Sequence, residues 1–478
     1  VTPSSTPIYS ALNRYIQENI LRLHMPGHAG IAPALPHAWQ NLALFDVTEI
    51  PGLDDLHLPI GIIEHAERLL AEAFGAQESF FLVNGATSGI HALFLSLPSP
   101  AKVLIPRHAH RSFFGGLVLS GAHPVYLPAE IDNETGLSLA TSVTAVEDLL
   151  ARQEVQAVFL TSPTFYGTTS NIREIAAAAH RRNIPVFIDE AHGAHFYFHP
   201  RYPDPALSSG ADSVVHGMHK TLPVFNQGGA LHLGHGFRFA DRVKNAFSLL
   251  TTTSPSYPLL ASMDLARHFM QQHGQELLDK GLQLAGEYRC KIDQLPGFSC
   301  PGRRLIKNGV TGADPLKILV LTDKMNISGF EIGRILRQHY NIQVEIEGDH
   351  YILAMMSMFH QPSDWERFYR ALQAIAKDQQ SHTANSRYIR PVVPPAPLVV
   401  KSPREAFQSA SRRIPLAQAR NRVSAEIVAA YPPGIPALLP GEMITGEIYD
   451  YLSYIRQIGV RVQGPLDHTL DTIAVLEI

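Results

Sequence analysis

At 478 residues, 45% hydrophobic and 17% charged, the chain is long enough for about three domains and a large core, and its composition excludes a disordered polymer. A net charge of -4 without a basic stripe excludes nucleic acid as the expected partner, and no apolar run reaches the length of a membrane span. Two cysteines, Cys290 and Cys300, without a CxxC motif, and 24 scattered histidines without an HExxH or Cys/His cluster, point to a reduced cytoplasm and to no metal centre.

Residues 1–60 read as an arm. It opens with a short helix around Ile8–Gln17 and lacks the layout of a secretion signal. A tight turn at MPGH follows, with Gly27 and Gly30, and then the acidic, irregular FDVTEIPGLDDLHLP. From Gly61, apolar residues at Ile62, Ile63, Ala66, Leu69, Leu70 and Ala73 fall on one helical face. Strands and helices then alternate. ESFFLVN, KVLIPR, HPVYLP, VQAVFLT and PVFID read as strands; ATSGIHALFLSL, HRSFFGGLVLSG, TAVEDLLARQ and REIAAAAHRRN read as helices. Apolar strands separated by amphipathic helices predict a mostly parallel sheet covered on both faces, with function at the C-terminal strand ends.

After the strand ALHLG, TTTSPSYPLLASMDLARHFM enters a long helical region that runs to about Leu295. DPLKILVLTD, FEIGRILRQHY, VEIEG and HYILAMMS suggest a small α+β domain, and PVVPPAPLVV an extended linker. The expected organisation is an arm (1–60), a large domain (61–310), a small domain (311–385), a linker (386–402) and a terminal module (403–478).

Two strands, PVFID and DSVVH, end in polar residues. Asp189 closes the first, and His219 and Lys220 lie just past the second. An acid and a lysine at successive strand ends suit an enzyme holding pyridoxal phosphate: the amine for a Schiff base, the carboxylate for the pyridine nitrogen. Asn84 to Gly89, between a strand and a helix, offers small residues, hydroxyls and a helix N-terminus, which suit a phosphate. Ala86, Thr87 and Ser88 lie in that turn. His108 or His110 is positioned to stack on a flat ring, and Ala191 is small enough for the opposite face. Thr161, Ser162 and Thr164 end another strand within reach of a cofactor oxygen. His192 and His219 flank the two main candidates. Each residue alone also suits a cap, a turn or a solvated surface.

The order of HMPGH, DVTEIPGLDDLH, VNGATSG, HAHRS, SPTFYG, DEAHGAH, HKTLPVFNQ, SPSY and YPPGIPALLPGE resembles the ornithine/lysine/arginine decarboxylase family. The resemblance covers nearly the whole chain and implies an aspartate-aminotransferase-like α/β fold with a small α+β domain and a C-terminal α+β module. It implies the short form, without an N-terminal receiver-like domain. It implies pyridoxal phosphate as cofactor and conversion of arginine, lysine or ornithine, with arginine the first choice, to carbon dioxide and an amine. By matching position, Lys220 resembles the Schiff-base lysine, Asp189 the pyridinium partner and His110 the ring-stacking histidine. Ala86, Thr87 and Ser88 resemble the phosphate cup, and His219 the histidine near the phosphate. Fold analogy implies a homodimer or higher oligomer.

The chain departs from the family where a serine usually precedes x-His-Lys: Gly217 stands there, with Met218 next. Ala86 likewise replaces a hydroxyl residue. Losing a hydrogen bond to a charged oxygen costs about 1.5–3 kcal/mol, so weaker cofactor binding is expected. A long cationic substrate also needs an acid, for which Asp54, Asp55, Glu345 and Glu347 are the candidates. The rival readings are a pyridoxal-phosphate aminotransferase and a low-activity or non-catalytic binding homologue.

Overall fold

The computed structural model describes residues 4–477 apart from 32, 34, 35, 129, 130, 133, 308, 381–396, 431–435 and 458. Most of the expected linker, and 431–435 of the YPPGIP motif, therefore lie outside the described residues. Helices α1 (Pro7–Gln17), α2 (His37–Phe45) and α3 (Ile62–Phe74) precede strand β1 (Glu78–Leu82). Then follow α4 (Gly85–Ser96), β2 (Lys102–Pro106), α5 (Arg111–Ser120), β3 (His123–Leu127), α6 (Val143–Arg152), β4 (Ala157–Thr161), β5 (Thr168–Ser170) and α7 (Ile172–His180). Next come β6 (Val186–Asp189), β7 (Ser213–His216), the four-residue α8 (Met218–Thr221), β8 (Gly229–Leu233), α9 (Ala240–Leu250) and the long α10 (Tyr257–Asp293). Each of these apart from α2, β5, α8 and α9 sits on a stretch that the sequence marked as a helix or strand.

The chain forms two compact units, 1–97 with 172–278, and 98–171 with 279–478. In the first, the strands run in the order β1-β8-β7-β6. β6 and β7 are parallel, whereas β8 lies antiparallel to both β1 and β7. Every residue of β6, β7 and β8 is buried, which explains their continuous apolar reading. α3 turns Ile63, Ala66, Leu70 and Phe74 inward and stops at Gly75, whose φ of +64° an L side chain rarely adopts. α4 lies so close to the strands that a Cβ on Gly89 would stand 2.8 Å from Leu82 and 3.0 Å from Val215. α1 is tied down by charge: Asp264 Oδ2 accepts from Ile8 N at 3.0 Å, and Arg267, paired with Asp264 at 2.6 Å, donates to Ser5 O.

In the second unit, β2 pairs in parallel with both β3 and β4. β5 pairs antiparallel with β9 (Val310–Ala313), and a three-stranded antiparallel sheet is built from β10 (Lys317–Leu321), β12 (Tyr351–Met355) and β11 (Ile346–Glu347). The residues after 403 have a core of their own, including Leu438, Ile444, Ile448, Leu452, Leu470 and Ile473. Among the described residues, no helix is long and apolar enough to cross a membrane.

Candidate functional site

In the first unit, β6 and β7 run side by side with Asp189 opposite Val215. The backbone continues the pairing past the tips: Glu190 N donates to Val215 O at 3.0 Å and Gly217 N to Ala191 O at 3.3 Å. Asp189 is buried at the end of β6, and its Oδ1 accepts from Ala191 N at 3.1 Å. β7 runs through Gly217 into α8, which carries Lys220. Lys220 Nζ lies 3.1 Å from Nε2 of the buried His192. An ammonium has no acceptor lone pair, so it donates, and Nε2 is the unprotonated nitrogen of that imidazole. His219 Nδ1 donates to Gly228 O at 2.8 Å. Asp189, Ala191, His192, His219 and Lys220 thus gather around two adjacent strand tips.

The first turn of α4 reaches the same end of this unit. A Cβ on Gly229 would stand 2.7 Å from His216 O and 3.2 Å from Ala86 N, so β8 must be glycine there for the helix start to come this close. Gly85 opens the helix at φ +69°. Thr87 is exposed, while the hydroxyl of Ser88 is turned into the helix, donating to Gly85 O at 2.9 Å. Asn84 Oδ1 accepts from Gln227 Nε2 at the rim. At Gly217 a Cβ would lie 3.2 Å from Ala191 O and from Cδ and Cε of Lys220, leaving a serine little slack. As a donor set these residues fit pyridoxal phosphate: a buried carboxylate, an amine, and the N–H groups of a twelve-residue helix.

Sequence reasoning passed over the polar layer beneath. Glu190 and His216 are both almost fully buried, with Oε2 of the acid 2.9 Å from Nε2 of the imidazole. Tyr197 donates to the same carboxyl oxygen at 2.9 Å, and Ala206 N donates to the other at 3.0 Å. Burial pushes Glu190 up to about 8 and His216 down to about 3. The available signal was the pair of charged residues in DEAH: on a strand tip, neighbours point to opposite faces, so only one can serve the site.

In the second unit, His110 caps α5, its Nδ1 accepting from Ser112 N at 3.2 Å. His108 is half-buried, and its desolvation pushes it down to about 4. Ser162 Oγ accepts from Ser170 N at 3.2 Å, and Thr164 pairs with Thr168 at 2.7 Å. Thr161 Oγ1, at the tip of β4, is closed off from solvent with no hydrogen-bond partner among the described residues. A cavity of about 540 Å³ opens beside His108 and His110, lined also by Arg111, Phe113, Tyr351 and Glu345. That volume is ordinary for a small-molecule site.

Of the four acids, Asp54 is consumed by the backbone. It accepts from Asp55, Ile60, Gly61 and Ile63 N–H groups at 2.9–3.1 Å. Asp55 accepts from His57 N. Burial pushes Glu347 up, and Gly333 leaves room for its carboxyl. Glu345 alone of the four lines the cavity.

One wall of that cavity comes from the terminal module, through Ile427, Ala429, Pro436 and Leu439. Arg107, at the end of β2, holds the module in place. It grips Glu442 with two N–H groups at 2.5 and 2.8 Å, donates to Pro436 O at 3.0 Å, and lies over the Tyr126 ring. Burial pushes the Glu442 carboxyl up, and the guanidinium opposes that shift.

Residues 6–363 match the family described as Orn/Lys/Arg decarboxylase, major domain, and residues 385–465 match the C-terminal domain of the same family. The chain is 35% identical to an arginine decarboxylase of Bacillus subtilis, covering 99% of this chain and 98% of that one. It is 25% identical to the constitutive lysine decarboxylase of Escherichia coli, covering 97% of this chain and 79% of that one. Among solved structures, the lysine decarboxylase of Francisella novicida superposes with a TM-score of 0.84 at 20% identity, over 99% of this chain and 81% of that one. A ureidoglycine-glyoxylate aminotransferase of Bacillus subtilis superposes at 0.57 with 14% identity, over 73% and 92%. The fold is the aspartate-aminotransferase-like one that the sequence implied, with extra small sheets.

The buried pair at Arg107 generates a stability prediction. Glu442→Ala leaves a guanidinium without its counter-charge and is expected to lower unfolding free energy by about 3–5 kcal/mol. Urea denaturation measures it, and a loss below about 1 kcal/mol would place the ion pair among those that merely break even.

Proposed function

The chain belongs to the Orn/Lys/Arg decarboxylase family, and on that footing we propose that it removes the α-carboxylate of a basic L-amino acid, arginine first, with pyridoxal phosphate as coenzyme. The observation that carries the reading is the pairing of a buried carboxylate, Asp189, with an amine, Lys220, around the tips of two parallel strands. The arginine decarboxylases among the 35%-identical relatives support arginine over lysine and ornithine.

When bound, the coenzyme supplies a sink for the electrons left on Cα as carbon dioxide departs. Lys220 is the residue that would hold its aldehyde carbon, and Asp189 would keep its ring nitrogen protonated. Ala86 and Thr87 would present backbone N–H groups to the phosphate, and Ser88 would stiffen that turn through its bond to Gly85 O. His192 accepts from Lys220 and so holds the amine in one direction while it is protonated. It is also a nearby base for the proton that the amine must lose before it can act as a nucleophile. His219 is fixed by Gly228 O and would reach the phosphate with its other nitrogen. The family pattern assigns His110 to the ring face and Ser162 to the coenzyme's surroundings, with Ala191 at the other face.

Glu345 is our choice for the acid that reads the substrate's cation, because it lines the cavity beside His110 whereas Asp54 is spent on its own loop. We further propose a cytoplasmic homodimer, in which a second copy covers the arm's exposed Leu21, Leu23, Met25 and Trp39.

Incubation with arginine, lysine and ornithine tests the reaction, with products identified by mass spectrometry. Carbon dioxide together with agmatine or a diamine is expected, and Lys220→Ala should abolish both. Formation of a keto acid would sink the reading in favour of transamination. Glu345→Gln should raise KM roughly tenfold or more with kcat less affected, since a hydrogen bond to a charged group is worth about 1.5–3 kcal/mol. An unchanged KM removes Glu345 from the role. Gly217→Ser should tighten coenzyme binding by roughly tenfold, restoring one donor at the cost of a small shift in Lys220. A titration showing unchanged affinity would contradict the weakened-cup account.

A further inference from the structure

The polar layer under the strand tips has no part in the reaction as proposed, yet it sits directly behind the two groups that do. Glu190 follows Asp189, and its carboxyl reaches across to His216, which closes β7 four residues before Lys220. We propose that Glu190 and His216 are positioning residues, a crossbar between the two strand tips that sets the spacing of Asp189 and Lys220.

Three observations carry this. First, the regular pairing of β6 with β7 ends at Asp189 and Val215, and the side-chain bond between the next residue of each strand lies alongside the two backbone hydrogen bonds, Glu190 N to Val215 O and Gly217 N to Ala191 O, that carry the pairing into the tips. Second, both ends of the crossbar are clamped. Glu190 is held by Tyr197 and Ala206 N, and the His216 ring lies within 5.2 Å, centroid to centroid, of Phe74, Tyr197 and His232. Third, the link from His216 to Lys220 is short and stiff: Gly217 N donates to Ala191 O, Lys220 N donates to Gly217 O at 2.9 Å, and Met218 is fully buried. Burial disfavours charge on both partners, so the pair places no second buried negative charge beside Asp189 near neutral pH.

The proposal rests on Lys220 being the coenzyme anchor, so its test includes a readout that needs no coenzyme. In the apoprotein, the rate at which an amine-acylating reagent labels Lys220 is measured by mass spectrometry. In the loaded protein, coenzyme affinity and the visible circular dichroism per bound coenzyme are measured. Glu190→Ala should change the labelling rate by about threefold or more and weaken coenzyme binding by about tenfold. Glu190→Gln, whose amide spans the same gap, should restore both toward wild type. If Glu190→Ala does not fold, His216→Phe fills the same space without a nitrogen and carries the same expectation, with His216→Gln as its rescue. Variants that melt earlier but keep wild-type labelling, affinity and dichroism would overturn the crossbar and leave a stabilising contact only. A wild-type protein that takes up no pyridoxal phosphate would sink the functional reading instead, while the labelling rates would still decide the crossbar.

Discussion

Two parallel strands with no exposed residue between them govern what this protein is able to do. Val186–Asp189 and Ser213–His216 are buried along their whole length, so their side chains are apolar up to the last positions apart from Ser213, whose hydroxyl donates to His232 O. Polar chemistry is therefore pushed to the tips, where the chain leaves the sheet and backbone groups find turn partners. Asp189 occupies one tip and Lys220 the short helix beyond the other. Burial there is useful: a carboxylate or an amine out of bulk water interacts more strongly with its partner than in solvent.

A buried site of this kind has to be held from behind as well as lined from the front. Desolvation of Glu190 and His216 is costly, and the three donors and acceptors around the carboxyl offset only part of it. Replacing the pair with apolar residues of similar volume would often be neutral or favourable for stability alone. A buried polar pair joining the two strand tips is better explained by the geometry it imposes than by the stability it adds.

The terminal module shows the same economy on a larger scale. Its own core of Leu438, Ile444, Ile448 and Leu452 suits a small domain, but its attachment depends on polar contacts to the end of β2 and to α5. Arg107 contacts Glu442, Pro436 and Ala437 while the neighbouring residues His108 and His110 face a cavity. The module is thereby part of that cavity's wall, and changes far along the sequence can reach the space beside His110.

The order of strands and helices, the glycine-opened turn before α4 and the positions of Asp189 and Lys220 were all legible from period and residue type, because they depend on neighbours within a few positions. The short motifs also carried the family. Other features were not legible. Asp54 read as a free acid in DDLH, yet four backbone N–H groups fold around it. Ser88 read as a phosphate donor, yet its hydroxyl turns to Gly85 O. Gly217 read as a lost hydroxyl, and its lack of a Cβ is also what lets the Lys220 stem lie close. Glu190, His216 and the Arg107–Glu442 clamp drew no notice at all. Spacing along the chain determines which residues share a face or end a strand. Which polar atom is buried, and which partner satisfies it, depends on segments up to 335 positions apart meeting in space, and only the folded chain decides that.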